Sequence, residues 1–400
     1  MSEEKLVPKL RFLEFTDEWS EHKFENIFDI KNGLNKGKDY FGEGIRILNY
    51  MDVNKYELNT ENTIKGLVEL TDDEIERYSV KPNDLFFTRT SETSEEIGLT
   101  SAYMGNTIKC VFSGFLLRAR PKIDLNSLFF AYYLRSPRQR NNIIKFSSIT
   151  TRALISGGNL SKMKIKYPSI EEQNKIANLF LILDKKVELL EKKYREYQCF
   201  KKYLMQKLFA QELRFDDNCQ YKTKQVKDFL IESKIEGIDD INKRLTVKLN
   251  LKGITVRESK TIEIEGATKQ FIRKTGQFIY GKQNLHKGAF GIIPKELDGY
   301  LTSSDIPSFD FKGGIEPKWF YYYFARKSFY EKLENLSTGT GSKRISPKEF
   351  LNIKIIVPEF KEQHKIVCLL EKFDEKINGI SNQIVQMNMF KKSLLQQMFV

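Results

Sequence analysis

Two sets of basic and amide side chains have the chemistry to contact nucleic acid. Arginine can read guanine with two hydrogen bonds, asparagine and glutamine read adenine, and lysine, serine and threonine hold phosphates. In the first half of the chain the candidates are Lys36, Lys38, Arg89, Thr90, Ser91, Thr150, Thr151 and Arg152. In the second half they are Lys282, Gln283, Asn284, Lys287, Thr340, Ser342, Lys343 and Arg344. A basic surface that only faces solvent is the alternative interpretation for any one of them.

Catalytic motifs are not evident in the same sequence. It contains no GxGxxG after a strand pattern and no GxxxxGK[ST] phosphate loop. His22, His286 and His364 lie far apart and form no paired set of metal ligands. Asp84 could open a nuclease motif, but no acidic-x-Lys follows at a strand spacing, so we interpret it as a turn residue before a strand. The sequence therefore favours binding over catalysis, with no metal site and no cofactor in this chain.

A long stretch that occurs twice must position these loops. The copies begin at Lys164 and Lys354 and align without a gap at an offset of 190, given by Pro168 and Pro358 (358 − 168). Both read Pro-x-x-x-Glu-Gln-x-Lys-Ile and both end in phenylalanine, at Phe209 and Phe399. Because an internal repeat reflects a repeated structural unit, the chain is expected to consist of two similar halves.

Within each copy the apolar residues alternate at spacings of four and three, the heptad pattern of a two-helix coiled coil. One polar residue, Lys201 or Lys391, falls at the same place in both copies, where it can fix the register. Two ordinary amphipathic helices inside a globule are the alternative. The predicted coiled-coil interface consists of Phe180, Leu183, Val187, Leu190, Tyr194, Tyr197, Leu204, Leu208, Leu370, Phe373, Ile377, Ile380, Ile384, Met387, Leu394 and Met398.

The predicted fold class is α+β. Two mixed α/β domains are separated by two long antiparallel helices, which form a coiled-coil spacer with pseudo-twofold symmetry. The expected boundaries are residues 1–168 for the first domain, 169–213 for the first spacer helix, 214–358 for the second domain and 359–400 for the second helix. Strand patterns at 24–30 and 226–231 open the two domains, and 147–158 is expected to be a loop. Thr71 and Glu74 have the spacing of a capping box and predict the start of a helix.

Composition limits the partners and the compartment. The 400 residues are 40% hydrophobic and 30% charged, typical of a globular chain, and the net charge of +13 favours a polyanionic partner. The four cysteines, Cys110, Cys199, Cys219 and Cys368, form no CxxC pair, which favours free thiols in a reducing compartment. Residues 1–10 lack the apolar core of a signal peptide, and no apolar stretch predicts a membrane helix. A cytoplasmic location without a membrane partner is expected.

These motifs resemble the specificity subunit of type I restriction–modification systems. The resemblance covers essentially the whole chain. It is carried by the two Pro-x-x-x-Glu-Gln blocks, by Pro8-Lys9-Leu10-Arg11-Phe12 and by the run Asp84-Leu85-Phe86-Phe87-Thr88-Arg89-Thr90-Ser91. The second copy departs with His364 where the first has Asn174, and the second domain lacks the Thr-Arg-Thr-Ser run, so a target sequence does not transfer.

The resemblance implies two target recognition domains, each reading one half of a bipartite, asymmetric site in double-stranded DNA. It implies as partners two methylation subunits, which use S-adenosylmethionine on adenine, and motor–nuclease subunits, which use ATP and magnesium. None of those activities would belong to this chain. The alternative is a structural adaptor whose coiled coil joins protein partners and whose charge is incidental; a self-contained nuclease would need a metal site that the sequence does not offer.

Overall fold

The computed structural model describes residues 6–106, 109–149, 151–258, 266, 268–337 and 344–400. The chain divides into two compact units. The first unit comprises Met1–Glu191 and Asn382–Val400, and the second comprises Lys192–Ser381. Each unit contains one mixed α/β domain and part of each of two long helices, so the predicted fold class is confirmed.

The first domain precedes the first long helix. Its helices are α1 (Phe24–Ile27), α2 (Tyr50–Lys55), α3 (Asp72–Arg77), α4 (Ser127–Arg135), α5 (Pro137–Lys145) and α6 (Gly157–Ser161). Its strands are β1 (Ser20–Lys23), β2 (Phe28–Asn32), β3 (Phe41–Leu48), β4 (Leu58–Asn59), β5 (Gly66–Val68), β6 (Asp84–Thr88), β7 (Thr90–Ser91), β8 (Thr100–Tyr103), β9 (Cys110–Phe112), β10 (Leu116–Pro121), β11 (Ser148–Ile149), β12 (Ala153–Leu154) and β13 (Lys164–Tyr167). The long helix α7 then spans Ile170–Phe209.

The second domain lies between the two long helices. Its strands are β14 (Tyr221–Gln225), β15 (Leu230–Ser233), β16 (Glu236–Gly237), β17 (Leu245–Val247), β18 (Ile254–Val256), β19 (Gln270–Ile272), β20 (Phe278–Tyr280), β21 (Phe290–Ile292), β22 (Leu301–Ser303), β23 (Ser308–Phe311) and β24 (Lys354–Pro358). Its helices are α8 (Pro317–Phe324), α9 (Lys327–Tyr330) and α10 (Pro347–Leu351), and the second long helix, α11, spans Phe360–Gln397. Short 3-10 segments occupy Lys38–Tyr40, Val226–Asp228, Ile241–Lys243, Leu285–Lys287, Lys295–Leu297 and Glu331–Leu336.

The core of the first domain lies between a five-stranded sheet, in the order β2-β10-β6-β8-β4, and helix α4. Every residue of β6 is buried. The Asn126 side chain caps α4 by accepting from the N–H groups of Leu128 and Phe129. Phe130 of α4 packs edge to face on Phe28 of β2, with ring centroids 5.4 Å apart. A three-stranded sheet, β11-β12-β7, extends from the end of β6.

The second domain repeats this plan with fewer strands. Its core sheet has the order β15-β23-β20-β21 and is covered by α8, the counterpart of α4 at the offset of 190. Phe320 of α8 packs edge to face on Phe278 of β20, with centroids 5.1 Å apart. In both domains the strand before the long helix pairs with the opening strand, β13 with β1 and β24 with β14.

The two long helices contact each other within each unit. In the first unit Phe180 of α7 stacks on Phe399, and Asp184 pairs with Lys391 of α11. The order along one helix is the reverse of the order along the other, so the segments there are antiparallel. Each of the sixteen predicted interface residues is buried or half-buried.

The openings of the two domains differ from the predicted strands. Phe24–Ile27 is a turn of helix, and Val226–Asp228 is a 3-10 turn, each followed by the strand. Phe24 and Ile27 are both buried. Residues three apart share a face of a helical turn but lie on opposite faces of a strand, so the turn buries both.

Two other local predictions are corrected and one is confirmed. Residues 147–158 are not only a loop, because β11 and β12 lie within them. Asp84 is not a turn residue but the buried first residue of β6, where it accepts two hydrogen bonds from Arg120 at 2.7 and 2.8 Å. The capping box predicted at Thr71 and Glu74 is present at the start of α3.

Candidate nucleic-acid interface

The glutamine of the repeated Pro-x-x-x-Glu-Gln block joins each long helix to its domain. In the first unit Gln173 donates to the Pro168 carbonyl at 2.9 Å and accepts from the Asn126 N–H at 3.0 Å. In the second unit Gln363 donates to the equivalent proline carbonyl at 3.0 Å and accepts from the Glu316 N–H at 2.8 Å. Both glutamines are buried. The block is therefore a structural joint that places α4 or α8 beside the start of the long helix.

A lysine, an aspartate and a tyrosine form an equivalent cluster in each unit. In the first unit Lys391 Nζ lies 2.5 Å from Asp184 Oδ1, and the Tyr132 hydroxyl donates to Asp184 Oδ2 at 2.7 Å. In the second unit the corresponding residues are Lys201, Asp374 and Tyr322. Burial, with the aspartate beside it, raises the pKa of each tyrosine, so both hydroxyls remain donors at neutral pH. The polar residue of the heptad pattern is thus paired with a charge.

The first unit adds Glu57 and Arg135 to its cluster. Lys391 Nζ also lies 3.1 Å from Glu57 Oε1, and Arg135 Nη1 lies 3.8 Å from the same oxygen. Burial alone would raise the pKa of Glu57, but the charges of Arg135 and Lys391 hold it below its ordinary value. The Glu57 carboxylate therefore stays ionised beside the helix pair.

Three predicted DNA-contact residues of the first domain line one concavity, about 570 Å³ in volume. They are Thr90, Ser91 and Arg152. Strand pairing brings them together, because Ser91 of β7 lies opposite Ala153 of β12, the residue after Arg152. Arg152 is exposed, Thr90 is half-buried and Ser91 is buried. The remaining lining residues are Tyr50, Glu92, Thr93, Glu96 and Phe115.

The concavity presents three kinds of chemistry. The Tyr50 hydroxyl donates to Glu96 Oε2 at 3.1 Å, and the Ser91 hydroxyl lies 3.4 Å from the same oxygen. Burial raises the pKa of Tyr50, which keeps it a neutral donor. Phe115 is 61% exposed. Because base edges are read by arginine donors, carboxylate acceptors and apolar contacts with the thymine methyl, Arg152, Glu96 and Phe115 suit the major groove of DNA.

The other candidates of the first domain lie outside this concavity. Arg89 lines a separate cleft, and its Nε is buried with no hydrogen-bond partner among the described residues. Lys36 donates to both carboxylate oxygens of Glu74 at 2.6 Å, so its charge is already paired. Lys38 is exposed on a 3-10 turn, and Thr151 is exposed beside the concavity residue Arg152.

The second domain presents its candidates after the end of β20. The residues that follow this strand are Lys282, Gln283, Asn284 and Lys287. The Ile345 N–H donates to the Lys282 carbonyl at 2.9 Å, which brings the segment before the long helix to the same place. Arg344 pairs with Asp305 at 3.1 Å, and both side chains are largely exposed. The predicted residues Thr150, Thr340, Ser342 and Lys343 lie outside the described residues.

Sequence reasoning does not identify Tyr50, Glu96 or Phe115 as members of the site. They come from α2, from the segment after β7 and from the β9–β10 turn, and only the tertiary fold brings them together. Two signals were available. Glu96 closes a polar run that follows β6, and Phe115 is an aromatic residue directly after Ser113 and Gly114, residue types that favour a turn.

The described residues offer neither a metal-binding cluster nor a membrane-spanning helix. Within the described part of the chain, no group of three or more His, Cys, Asp or Glu side chains is arranged to hold a metal ion. No helix in that part is both long and apolar enough to cross a bilayer. The four cysteines are free thiols, and burial raises the pKa of the Cys110 thiol to about 12. An unreactive Cys110 is the consequence.

Comparison with known proteins agrees with this geometry. The family model for the type I restriction modification DNA specificity domain matches residues 16–196 and again residues 221–386, most of the chain. A Methanocaldococcus jannaschii protein named as the specificity subunit of type I restriction enzyme MjaX is 24% identical over 408 residues, covering 96% of this chain and 93% of that protein. The type I restriction enzyme EcoKI specificity subunit of Escherichia coli is 24% identical over 202 residues, covering 50% of this chain and 43% of that protein.

A solved structure shows the same fold. The S subunit of a type I restriction–modification system from M. genitalium superposes with a TM-score of 0.57 at 16% identity, covering 98% of this chain and 99% of that one. The likeness extends over both domains and both long helices. Because the family model matches twice and spans both repeats, this chain belongs to the type I restriction–modification DNA specificity family.

Proposed function

We propose that this chain gives a type I restriction–modification complex its DNA sequence specificity, and that each domain reads one half of a bipartite, asymmetric site. The chain itself would not catalyse. Two methylation subunits would modify adenine with S-adenosylmethionine, and motor–nuclease subunits would use ATP and magnesium, in the cytoplasm. Family membership and the net charge of +13, which suits a polyanion, support this proposal.

The observation that carries the proposal is that the two domains have equivalent backbone positions but different side chains for base contact. In the first domain the Ile155 N–H donates to the Arg89 carbonyl at 3.0 Å, and in the second the Ile345 N–H donates to the Lys282 carbonyl at 2.9 Å. The two isoleucines are related by the offset of 190 (345 − 155). Arg89 and Lys282 therefore hold equivalent positions at the ends of equivalent strands.

The residues that come next differ between the domains. Thr90 and Ser91 form β7 and line the concavity, whereas Gln283 and Asn284 lead into the 3-10 turn Leu285–Lys287. Hydroxyl groups bond to several bases, while asparagine and glutamine amides suit adenine. Two domains with equivalent backbone positions and different base-contacting side chains should recognise different half-sites. The whole site would then be asymmetric.

Sequencing of methylated adenines tests this proposal in cells that carry the complete system. We expect methylation within one bipartite, asymmetric sequence, and only when this chain is present. Methylation of the same sequence after deletion of the chain would contradict the proposal.

Duplex binding at several salt concentrations separates DNA reading from a structural adaptor. Counterion release predicts that log affinity falls linearly with log salt, with a slope of about −0.9 for each phosphate contacted. A flat response would instead favour the adaptor, whose coiled coil would join proteins and whose positive charge would be incidental.

A further inference from the structure

Each of the two domains carries a further cleft, and the two clefts match in position. Each cleft has a volume of about 520 Å³. The first is lined by Ile30, Asn32, Arg89 and Ser156, among others. The second is lined by Glu232, Lys234, Lys282 and Ser346, among others. The lining residues of the two clefts match in their positions in the fold, not in their residue types.

Strand register shows that the cleft walls correspond. In the first domain Ala119 of β10 lies opposite Ile30 of β2 on one side and Leu85 of β6 on the other. In the second domain Phe309 of β23 lies opposite the corresponding residues of β15 and β20, which are Glu232 and Phe278. The three strands that border each cleft are therefore built in the same register.

The basic residue and the serine of each cleft also correspond. Arg89 lies four residues beyond its reference residue on β6 (89 − 85), and Lys282 lies four beyond its reference on β20 (282 − 278). Their carbonyl oxygens accept from the equivalent isoleucine N–H groups described above. Ser156 and Ser346 are related by the offset of 190 (346 − 156), and each caps the short helix before the last strand of its domain.

At equivalent positions the two clefts share one cation and one hydroxyl, whereas Lys122 lines only the first cleft and Arg273 and Lys348 line only the second. Carboxylates are present but lie at different positions. Glu25 and Asp29 line the first cleft, whereas Glu232 lines the second and pairs there with Lys234 at 3.0 Å. The carboxylates are therefore not part of what the two clefts share.

The Arg89 guanidinium has an unused donor. Its Nε is buried without a hydrogen-bond partner in the part of the chain that the structure describes, and its Nη1 makes only a long contact of 3.4 Å to the Gly114 carbonyl. A buried donor left unpaired is costly, so an acceptor supplied by a ligand would stabilise it.

A ligand common to two domains that read different bases must not depend on the bases. The phosphate backbone is the part of DNA that is the same at every site, and Arg, Lys and Ser side chains are the groups that hold it. We propose that the two clefts bind one backbone phosphate in each half-site, through Arg89 and Lys282. This inference rests on the proposed function. It adds that each base-contacting segment begins at a residue, Arg89 or Lys282, that binds a backbone phosphate and so serves as a phosphate anchor.

The test uses the full chain assembled with its methylation subunits. Affinity is measured across a salt series for a duplex carrying the methylated sequence and for a scrambled duplex. The variants are Arg89→Gln, Lys282→Gln and the double variant. Arg89→Lys and Lys282→Arg keep the charge, and Lys295→Gln removes an exposed lysine that lines neither cleft.

Each glutamine variant should reduce the magnitude of the salt slope by about 0.9, and the double variant by about twice that, equally on both duplexes. The charge-keeping variants and Lys295→Gln should retain the parent slope, and the methylated sequence should not change.

A changed half-site would show that the residue reads a base. Loss of the methylation subunit with an unchanged slope would show a protein contact. If Lys295→Gln reduced the magnitude of the salt slope as much as Arg89→Gln or Lys282→Gln, the effect would come from the loss of any positive charge. Each of these three results overturns the inference.

Failure of the inference can be told apart from failure of the proposed function. If the parent complex prefers its methylated sequence but the glutamine variants keep the parent slope, only the phosphate anchors are wrong. If the parent complex shows no preference between the two duplexes, the proposed function is wrong whatever the variants do.

Discussion

Lys391 and Lys201 interrupt an apolar pattern because each meets an aspartate of the other long helix and lies over a tyrosine ring. Lys391 Nζ is 5.4 Å from the Tyr132 ring centroid, and Lys201 Nζ is 4.8 Å from that of Tyr322. The sequence shows that a lysine recurs at an interface position, but its partners lie far along the chain. Its pairing could therefore not be predicted.

Replacing Lys391 with methionine should destabilise the first unit, because Asp184 and Glu57 would lose a charged partner in a largely buried place. We expect a loss of about 1–3 kcal/mol in the free energy of unfolding. The chain has two tryptophans, and Trp19 packs on Phe399 in the first unit. Urea unfolding followed by Trp19 fluorescence in a Trp319→Phe background measures this loss. An unchanged midpoint would contradict the role of Lys391.

The deficit of Lys391→Met should depend on pH. The folded-state pKa of Glu57 is held below its ordinary value of 4.5, so its ion pairs contribute stability above that pH and lose it as pH falls through the folded pKa. The difference in the free energy of unfolding between the parent and Lys391→Met should therefore be largest at neutral pH and should become smaller below pH 4.5. Urea midpoints measured across that range give the comparison, and a deficit that grew on acidification would rule out this linkage.

Arg152 and Arg344 should affect different half-sites, because they belong to different domains. Arg152→Ala should cost about 1–3 kcal/mol on the first half-site and relax its sequence preference, and Arg344→Ala should do so on the second. Affinities for duplexes changed in one half at a time measure this, and each variant is the control for the other. Parent affinity in both variants would show that neither segment reaches DNA.

The long helices are the elements that the sequence predicts best. The four-and-three spacing marks one face of a helix, and this face is buried or half-buried along α7 and α11. The openings of the domains are predicted less well, since Phe24 and Ile27 are compatible with a strand by composition. Only the requirement to bury both decides in favour of a helical turn.

A charge placed on the buried face should destabilise the chain, while the same charge on the exposed face should not. Leu183 is 8% exposed and its neighbour Ile182 is 65% exposed; on α11, Ile380 is 3% exposed and Val385 is 54% exposed. We expect Leu183→Asp and Ile380→Asp each to cost about 2 kcal/mol or more, because an unpaired carboxylate would be buried. Ile182→Asp and Val385→Asp are the matched controls. Thermal melting provides the measurement, and equal melting temperatures for buried and exposed variants would refute the interface.

The repeat governs the whole molecule, and its fixed offset was sufficient to predict two similar halves. The candidate site was predicted less completely. Arg152 and Thr90 meet in one concavity, but Tyr50, Glu96 and Phe115 join them only through the tertiary fold, which a single sequence does not reveal. The sequence repeat also does not show that Arg89 and Lys282 are equivalent. Their separation of 193 residues (282 − 89) differs from the offset of 190 that relates the long helices.

The first half of the chain should form a symmetric dimer. Residues 1–212 lack Asn382–Val400, whose Leu394, Met398 and Phe399 lie in the core of the first unit. The corresponding residues of α7, Leu204, Leu208 and Phe209, are similar in size and are present in a second copy. A twofold interface would present two identical readers in inverted orientation, so its DNA site should be palindromic.

Sedimentation and adenine-methylation sequencing, with the methylation subunits present, test this truncated chain. We expect a dimer that marks a symmetric version of the first half-site. A stable monomer, or methylation that remains at the asymmetric parental site, would disprove the exchange of helices.

The most direct measurement is adenine-methylation sequencing of cells whose complete system carries this chain with its reader residues changed in one domain only. The substitutions Gln283→Ala and Asn284→Ala alter the second domain and leave Thr90, Glu96 and Arg152 of the first intact. We expect that one half of the methylated sequence is relaxed or altered while the other half is unchanged. A methylated sequence identical to the parental one, or changed in both halves at once, would contradict the claim that each domain of this chain reads one half-site.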